Sequence, residues 1–222
     1  MFRLIAVSDR SQCPRDYLQQ IADLFDWGVT DLILREKNLP VSEYRRLAEQ
    51  VLAVAEEKHC RCILHNFVDV AKETGADAIH LPIPVAEKQT GLHAFFHTVG
   101  MSTHSIEQVR QAEKLGADYV TFGHVFPSTC KPGLAPRGIS MLEEICAASS
   151  VPVYAIGGIT PETIAQVRQA GAAGACIMSA AMKADQREIR RFLQESQLFL
   201  RKSLTVRAAS VCTQWKTERK TE

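Results

Sequence analysis

Apolar residues along this chain fall into two alternating patterns: short unbroken runs, and longer stretches in which they recur every third or fourth position. The first is the pattern of a strand buried on both faces, the second that of a helix with one apolar side. Their alternation from end to end predicts βα units on a parallel sheet. Eight strands are predicted: from Arg3 to Ser8, Asp31 to Arg35, Cys62 to His65, Ala78 to Leu81, Thr98 to Met101, Tyr119 to Phe122, Val153 to Ile156 and Ala175 to Met178. The intervals predict helices from Pro14 to Trp27, Val41 to Lys58, Val68 to Thr74, Ile106 to Leu115, Ser140 to Ala147, Pro161 to Gln169 and Gln186 to Leu200, with a poor one near Val85 to Ala94.

Turn residues punctuate these units. Gly75-Ala76-Asp77, Gly116-Ala117-Asp118 and Gly171-Ala172-Ala173 each join a helix to a strand, and glycine there supplies the left-handed residue that closes a helix. Thr160-Pro161 reads as an N-cap with proline at the first helical position. An open sheet of eight parallel strands is unusually wide, so the economical closure is a single α/β domain over residues 1–200, a (β/α)8 TIM barrel. Past Leu200 the periodicity fails. Residues 201–222 are rich in Lys, Arg, Thr and Glu and read as a polar, flexible C-terminal extension.

Composition narrows the classes of function. The 222 residues are 46% hydrophobic and 23% charged, with a formal net charge of +1. That balance lacks the basic excess of a nucleic-acid or membrane binder, and the chain has neither an apolar run long enough for a span nor a signal-peptide pattern. Seven scattered cysteines without a C-x-x-C pair read as reduced thiols, so the expected compartment is the cytoplasm. A small-molecule partner is expected, and assembly into a homo-oligomer stays open.

In such a barrel the loops after the strands share one face, and chemistry belongs there. His124 follows the apolar run that starts at Tyr119, with Gly123 letting the backbone turn. Two readings of His124 stand: a proton-transfer group, or a strand-end histidine satisfied by backbone. The loop beyond it carries Lys131, Gly133, Arg137 and Gly138, with Lys131 a cation for an anionic ligand. Gly157-Gly158 ends the seventh strand and Met178-Ser179 the eighth, where amide donors and a small hydroxyl residue suit a phosphate. Arg35 and Lys37, at i and i+2, put two cations on one side of the chain leaving the second strand. Asn66 and Ser102 add neutral hydrogen-bonding groups at two further strand ends, and His104 fits the cap of the next helix. No metal site is expected, because His93 and His97 straddle a loop and lack acidic partners.

Taken in order, Leu34-Arg35-Glu36-Lys37, His65-Asn66, Gly75-Ala76-Asp77, Gly100-Met101-Ser102-Thr103-His104, Phe122-Gly123, Ala155-Ile156-Gly157-Gly158-Ile159 and Met178-Ser179-Ala180 resemble the thiamine phosphate synthase superfamily over about Phe2 to Leu200. The resemblance implies a barrel that binds a thiazole phosphate across its C-terminal face. Synthases of that superfamily carry acidic residues for Mg²⁺ where this chain has Phe67 and Val85, and a Gln for the pyrimidine where it has Ile33. The segments Phe122-Gly123-His124-Val125-Phe126, Cys130-Lys131, Gly133-Leu134 and Arg137-Gly138 are similar to the thiazole tautomerase branch, in which the histidine is the acid/base residue. That branch implies a cofactor-independent isomerase that aromatises a carboxythiazole phosphate, with His124 catalytic and Arg35, Lys37, Asn66, Ser102, Lys131, Gly157, Gly158, Met178 and Ser179 around the substrate. A Mg²⁺-dependent synthase and a non-catalytic ligand-binding regulator are the alternatives.

Overall fold

Side chains alternate across a strand, so an apolar run with no polar interruption must serve two cores at once. Leu4, Ala6, Leu32, Leu34, Leu64 and Ile79 join the helices in the larger cluster, while Ile5, Val7, Ile33, Ile63, Ala78 and Cys176 meet inside the barrel. The structure, a computed structural model, describes residues 2–128, 130 and 133–197. Its parallel strands are β1 (Arg3–Val7), β2 (Asp31–Leu34), β3 (Arg61–His65), β4 (Ala78–Pro82), β5 (Thr98–Thr103), β6 (Tyr119–Gly123), β7 (Val153–Ile156) and β8 (Gly174–Ile177). They pair in chain order, and β8 closes on β1 through the register Ile5↔Cys176. The expected (β/α)8 barrel is the observed architecture.

Helices α1 (Tyr17–Asp26), α2 (Val41–Glu57), α3 (Val68–Glu73), α4 (Ile83–Ala86), α5 (Ile106–Lys114), α6 (Gly138–Ala148), α7 (Ile164–Gln169) and α8 (Ser179–Lys183) alternate with the strands, and residues 186–197 are also helical. Caps set two of the starts: Asp16 accepts the Gln19 amide at 2.8 Å and Ser105 accepts that of Gln108 at 3.3 Å. Gly75, Gly116 and Gly171 take positive φ, as closing residues should.

Several helical boundaries differ from the pattern, and α1 starts at Tyr17, three residues after Pro14, where Asp16 caps it. The fourth helix shrinks to α4, with a 3₁₀ turn at Leu92–Ala94, because Pro82 and Pro84 confine helix to one turn and left-handed Gly91 interrupts the stretch beyond it. Helix α7 begins at Ile164, not Pro161: residues 161–163 form a turn in which the Thr160 amide donates to Thr163 Oγ1 at 2.9 Å. Helix α6 starts two residues early, at Gly138. The polar extension expected over 201–222 lies outside the described residues.

At the N-terminal end of the barrel Asp31 is buried against Arg61 at 2.7 Å, with Arg3 at 3.8 Å. This ion pair stands where the strands begin. The opposite end is open.

Candidate active site

A cavity of about 820 Å³ opens where β1–β8 end. Arg35, Lys37, Ser102, His124, Gly157, Gly158, Met178 and Ser179, all expected from the sequence, line it together. Lys131, also expected there, lies outside the described residues. Asn66 is not in the cavity wall: it takes a left-handed φ of 71° and its amide donates to the His80 carbonyl at 3.2 Å, so it turns the chain away from β3. His65, one residue earlier, is the one that lines the cavity. Strand alternation decides between such neighbours, and a motif read as a pair does not.

His124 leaves β6 and is buried, with Nε2 3.2 Å from the Leu134 carbonyl. Its segment is fastened from both sides. The Val125 and Phe126 amides donate to the Ile156 and Gly157 carbonyls at 3.0 Å, and the Arg137 amide donates to the His124 carbonyl at 3.0 Å. Arg137 Nε and His104 Nδ1 both reach the Gly123 carbonyl, at 3.0 and 2.8 Å. The guanidinium of Arg137 therefore holds the loop that follows β6 against the strand end, and His104 does more than begin a helix: it clamps β5 to β6 and lines the cavity.

The paired glycines have a reason the sequence reading missed. A Cβ on Gly157 would lie 2.3 Å from the His124 Cβ, and one on Gly158 would lie 2.3 Å from the Pro127 carbonyl oxygen. Their backbone φ values, 99° and 66°, also disfavour side chains. Close packing of the His124 segment thus requires both, beside any role toward an anion.

Beyond β2 the charges sort by direction. Glu36 is buried, and its Oε1 accepts from Ser8 Oγ at 2.8 Å, the Arg10 amide at 2.9 Å and Tyr17 Oη at 3.1 Å. Ser8 Oγ in turn accepts the Arg35 amide at 2.8 Å. This network draws Glu36 inward, which leaves Arg35 and Lys37 on the cavity side. Arg35 reaches across to Met178, with Nη1 3.9 Å from the sulfur. At β8, Ser179 Oγ donates to Gln12 Oε1 at 2.7 Å and sits 3.2 Å from Cys130 Sγ, so Gln12, which no motif announced, and Cys130, which the sequence marked only as part of a resemblance, join the site.

On the floor, His80 Nδ1 meets Tyr119 Oη at 3.0 Å and Nε2 meets Ser102 Oγ at 2.8 Å. Complete burial depresses the His80 pKa to about 3, so it is neutral. His80 sits inside an ordinary apolar run, and only the inward phase of β4 marks it. His93, by contrast, binds the Gly116 carbonyl at 2.8 Å, and among the described residues no three His, Cys, Asp or Glu side chains are grouped to hold a metal ion.

The arrangement defines a class: a (β/α)8 barrel whose open face joins a histidine to cations, amides and hydroxyls suited to a phosphorylated small molecule. The thiamine monophosphate synthase family (TMP-TENI) matches residues 4–181, and the chain belongs to it, an enzyme family of thiamine biosynthesis. A putative thiamine-phosphate synthase 2 of Aquifex aeolicus is 34% identical over 176 residues, covering 78% of this chain and 93% of the relative. The thiamine-phosphate synthase 2 of Streptococcus pneumoniae is 34% identical over 206 residues, covering 90% of this chain and 94% of the relative. Among solved structures, the thiamine phosphate pyrophosphorylase of Pyrococcus furiosus superposes with a TM-score of 0.76 at 25% identity, covering 88% of this chain and 96% of that one.

Proposed function

We propose that this protein is a thiazole tautomerase, aromatising a carboxythiazole phosphate without cofactor or metal. The observation that carries the reading is His124, a histidine in the cavity wall beside the phosphate-type groups Gly157, Gly158 and Ser179. The substrate has an exocyclic double bond at ring carbon 5 and an acidic hydrogen at carbon 2. Neutral imidazole takes the carbon-2 proton, and the imidazolium returns a proton to the exocyclic carbon. Electrons shift within the ring and none are exchanged, so the gain of aromaticity drives the step. Ser179 and the glycine amides hold the phosphate, and Arg35 and Lys37 face the carboxylate.

A second reading, a Mg²⁺-dependent thiamine-phosphate synthase, is favoured by the names of the relatives. The side chains at the two strand ends that would supply the metal's carboxylates do not fit a hard cation. Phe67 is stacked on Tyr44 with ring centroids 4.1 Å apart, and Val85 packs against the apolar core. Of the acids that line the cavity, Asp9 is engaged by Ser11 and Gln12, both at 2.6 Å.

One assay separates the two. Purified protein is added to the exocyclic carboxythiazole phosphate, and ring aromatisation is followed by ultraviolet absorbance. Catalysed aromatisation without pyrophosphate release is expected. Release of pyrophosphate from a pyrimidine diphosphate and a thiazole phosphate, with no effect on the tautomer, assigns the protein to the synthases.

A further inference from the structure

Strands β4 and β5 bring His80 and Ser102 to the cavity floor, and a third polar group lies behind them. His80 Nδ1 is 3.0 Å from Tyr119 Oη and His80 Nε2 is 2.8 Å from Ser102 Oγ, with Thr121 Oγ1 farther off at 3.4 Å. These hydroxyls differ in what surrounds them. Tyr119 packs inside the barrel with Ile5, Ile63, Ala78 and Cys176 and is not part of the cavity wall. Its ring fills the space beside Gly100, so the inward face of β5 carries Gly100 and, two residues on, Ser102. Ser102 is half-buried, and it lines the cavity together with Thr121.

Counting protons gives this row of groups a direction. The neutral His80 ring has one donating and one accepting nitrogen. With the proton on Nδ1, the ring donates to Tyr119 Oη, and the tyrosine O–H, whose one hydrogen-bond contact among the described residues is His80, is buried without an acceptor. With the proton on Nε2, the Tyr119 O–H donates to Nδ1 and Nε2–H donates to Ser102 Oγ, so no buried donor is stranded. A phenol O–H is a stronger donor than its oxygen is an acceptor, and leaving it unmade in the core is the costlier outcome. The second arrangement is therefore favoured. Ser102 Oγ, and more weakly Thr121 Oγ1, then accept from His80 and keep their own O–H for a partner on the cavity side.

We propose that Tyr119 and His80 are positioning residues: a one-way chain of hydrogen bonds from Tyr119 through His80 to Ser102 fixes the Ser102 hydroxyl as a donor into the cavity. The ligand atom that meets it carries a lone pair, as a carboxylate oxygen or a pyridine-type nitrogen does, and is not an N–H or O–H. The inference rests on the functional reading for its probe, carboxythiazole phosphate, which offers both kinds of atom. It concerns binding, and His124 keeps the proton transfer.

Ring-nitrogen NMR of isotope-labelled wild-type protein, with His80→Gln to assign the signals, should show His80 protonated at Nε2 and bare at Nδ1. Protonation at Nδ1 overturns the inference, and this measurement needs no ligand. Calorimetric titration with carboxythiazole phosphate and, separately, with inorganic phosphate reads the consequence. Ser102→Ala should bind carboxythiazole phosphate about tenfold more weakly and inorganic phosphate within about twofold of wild type. His80 should stay protonated at Nε2 in that variant, because Tyr119 and not Ser102 sets the tautomer. His80→Leu combined with Tyr119→Phe removes the chain without stranding the tyrosine hydroxyl, and should weaken carboxythiazole phosphate about threefold through loss of orientation at Ser102. Wild-type affinity for carboxythiazole phosphate in Ser102→Ala, or in the double variant, overturns the positioning role. Wild-type protein that takes inorganic phosphate but not carboxythiazole phosphate sinks the functional reading, and the ring-nitrogen spectrum still decides the direction of the chain.

Discussion

His124 and His80 are both buried on the open end of the barrel, and their partners set them apart. His80 spends one ring nitrogen on Tyr119 and the other on Ser102, so it is committed to structure. Among the described residues the His124 ring has one hydrogen-bond contact, Nε2 to the Leu134 carbonyl at 3.2 Å, in a cavity wall. Removing a positioned acid/base group costs about 10²–10⁴-fold in rate, or about 3–5 kcal/mol. His124→Ala should therefore lower kcat for aromatisation by that order with product affinity nearly unchanged. His124→Gln should not rescue it, because an amide cannot shuttle a proton at neutral pH. Turnover within about threefold of wild type in a folded His124→Ala protein removes His124 from the mechanism. His80 is tested through stability. Its pKa falls from 6.5 in the unfolded chain to about 3 when folded. Below pH 6.5 the unfolded chain takes up a proton that the folded one refuses, so stability present at neutral pH is lost as pH falls through that window. The slope is about 1.4 kcal/mol per pH unit. In urea unfolding at pH 7 and 4.5, His80→Gln should lose roughly 2–3 kcal/mol less than wild type on acidification. Parallel losses in the two proteins would place the acid sensitivity elsewhere.

At the scale of the element, the site depends on glycines that admit large neighbours. A Cβ on Gly100 in β5 would lie 2.1 Å from Tyr119 Cζ, so the Tyr119 ring occupies the space beside the glycine. That placement brings the Tyr119 hydroxyl to His80. Gly100→Ala must displace the ring and strip His80 of its Nδ1 partner. A loss of about 1–3 kcal/mol is expected in chemical denaturation, as for other overpacked cores. A variant as stable as wild type would show that Tyr119 moves freely and positions nothing. The strands themselves were legible within a residue or two, because apolar runs report burial directly. Helix starts were less so. Thr160-Pro161 has the form of a cap, yet the Thr163 hydroxyl takes the Thr160 amide and delays α7 to Ile164. Local rules allow both outcomes, and packing chooses.

For the whole molecule, Phe67, just past β3, packs on Tyr44 and Val85 in α4 packs on the apolar core, and neither side chain can bind a hard cation. Turnover of the tautomer should survive EDTA and gain nothing from added Mg²⁺. Loss on chelation that Mg²⁺ restores would count for the synthase reading instead. The site is also a product of closure: Gln12 follows β1, Cys130 follows β6 and Ser179 follows β8, and they meet only because β8 returns to pair with β1.

The amino-acid sequence by itself determined the barrel, since eight apolar runs separated by amphipathic stretches admit few other closures. It also determined most of the open-face residues, because in this fold a strand's C-terminal end is an address. What only the tertiary structure decided was direction and company. Asn66 turns out and His65 turns in, Glu36 is drawn down by Ser8 and Tyr17, and Gly157 makes room for His124. These depend on the phase of each strand and on contacts between residues far apart in the chain, and a one-dimensional pattern carries neither.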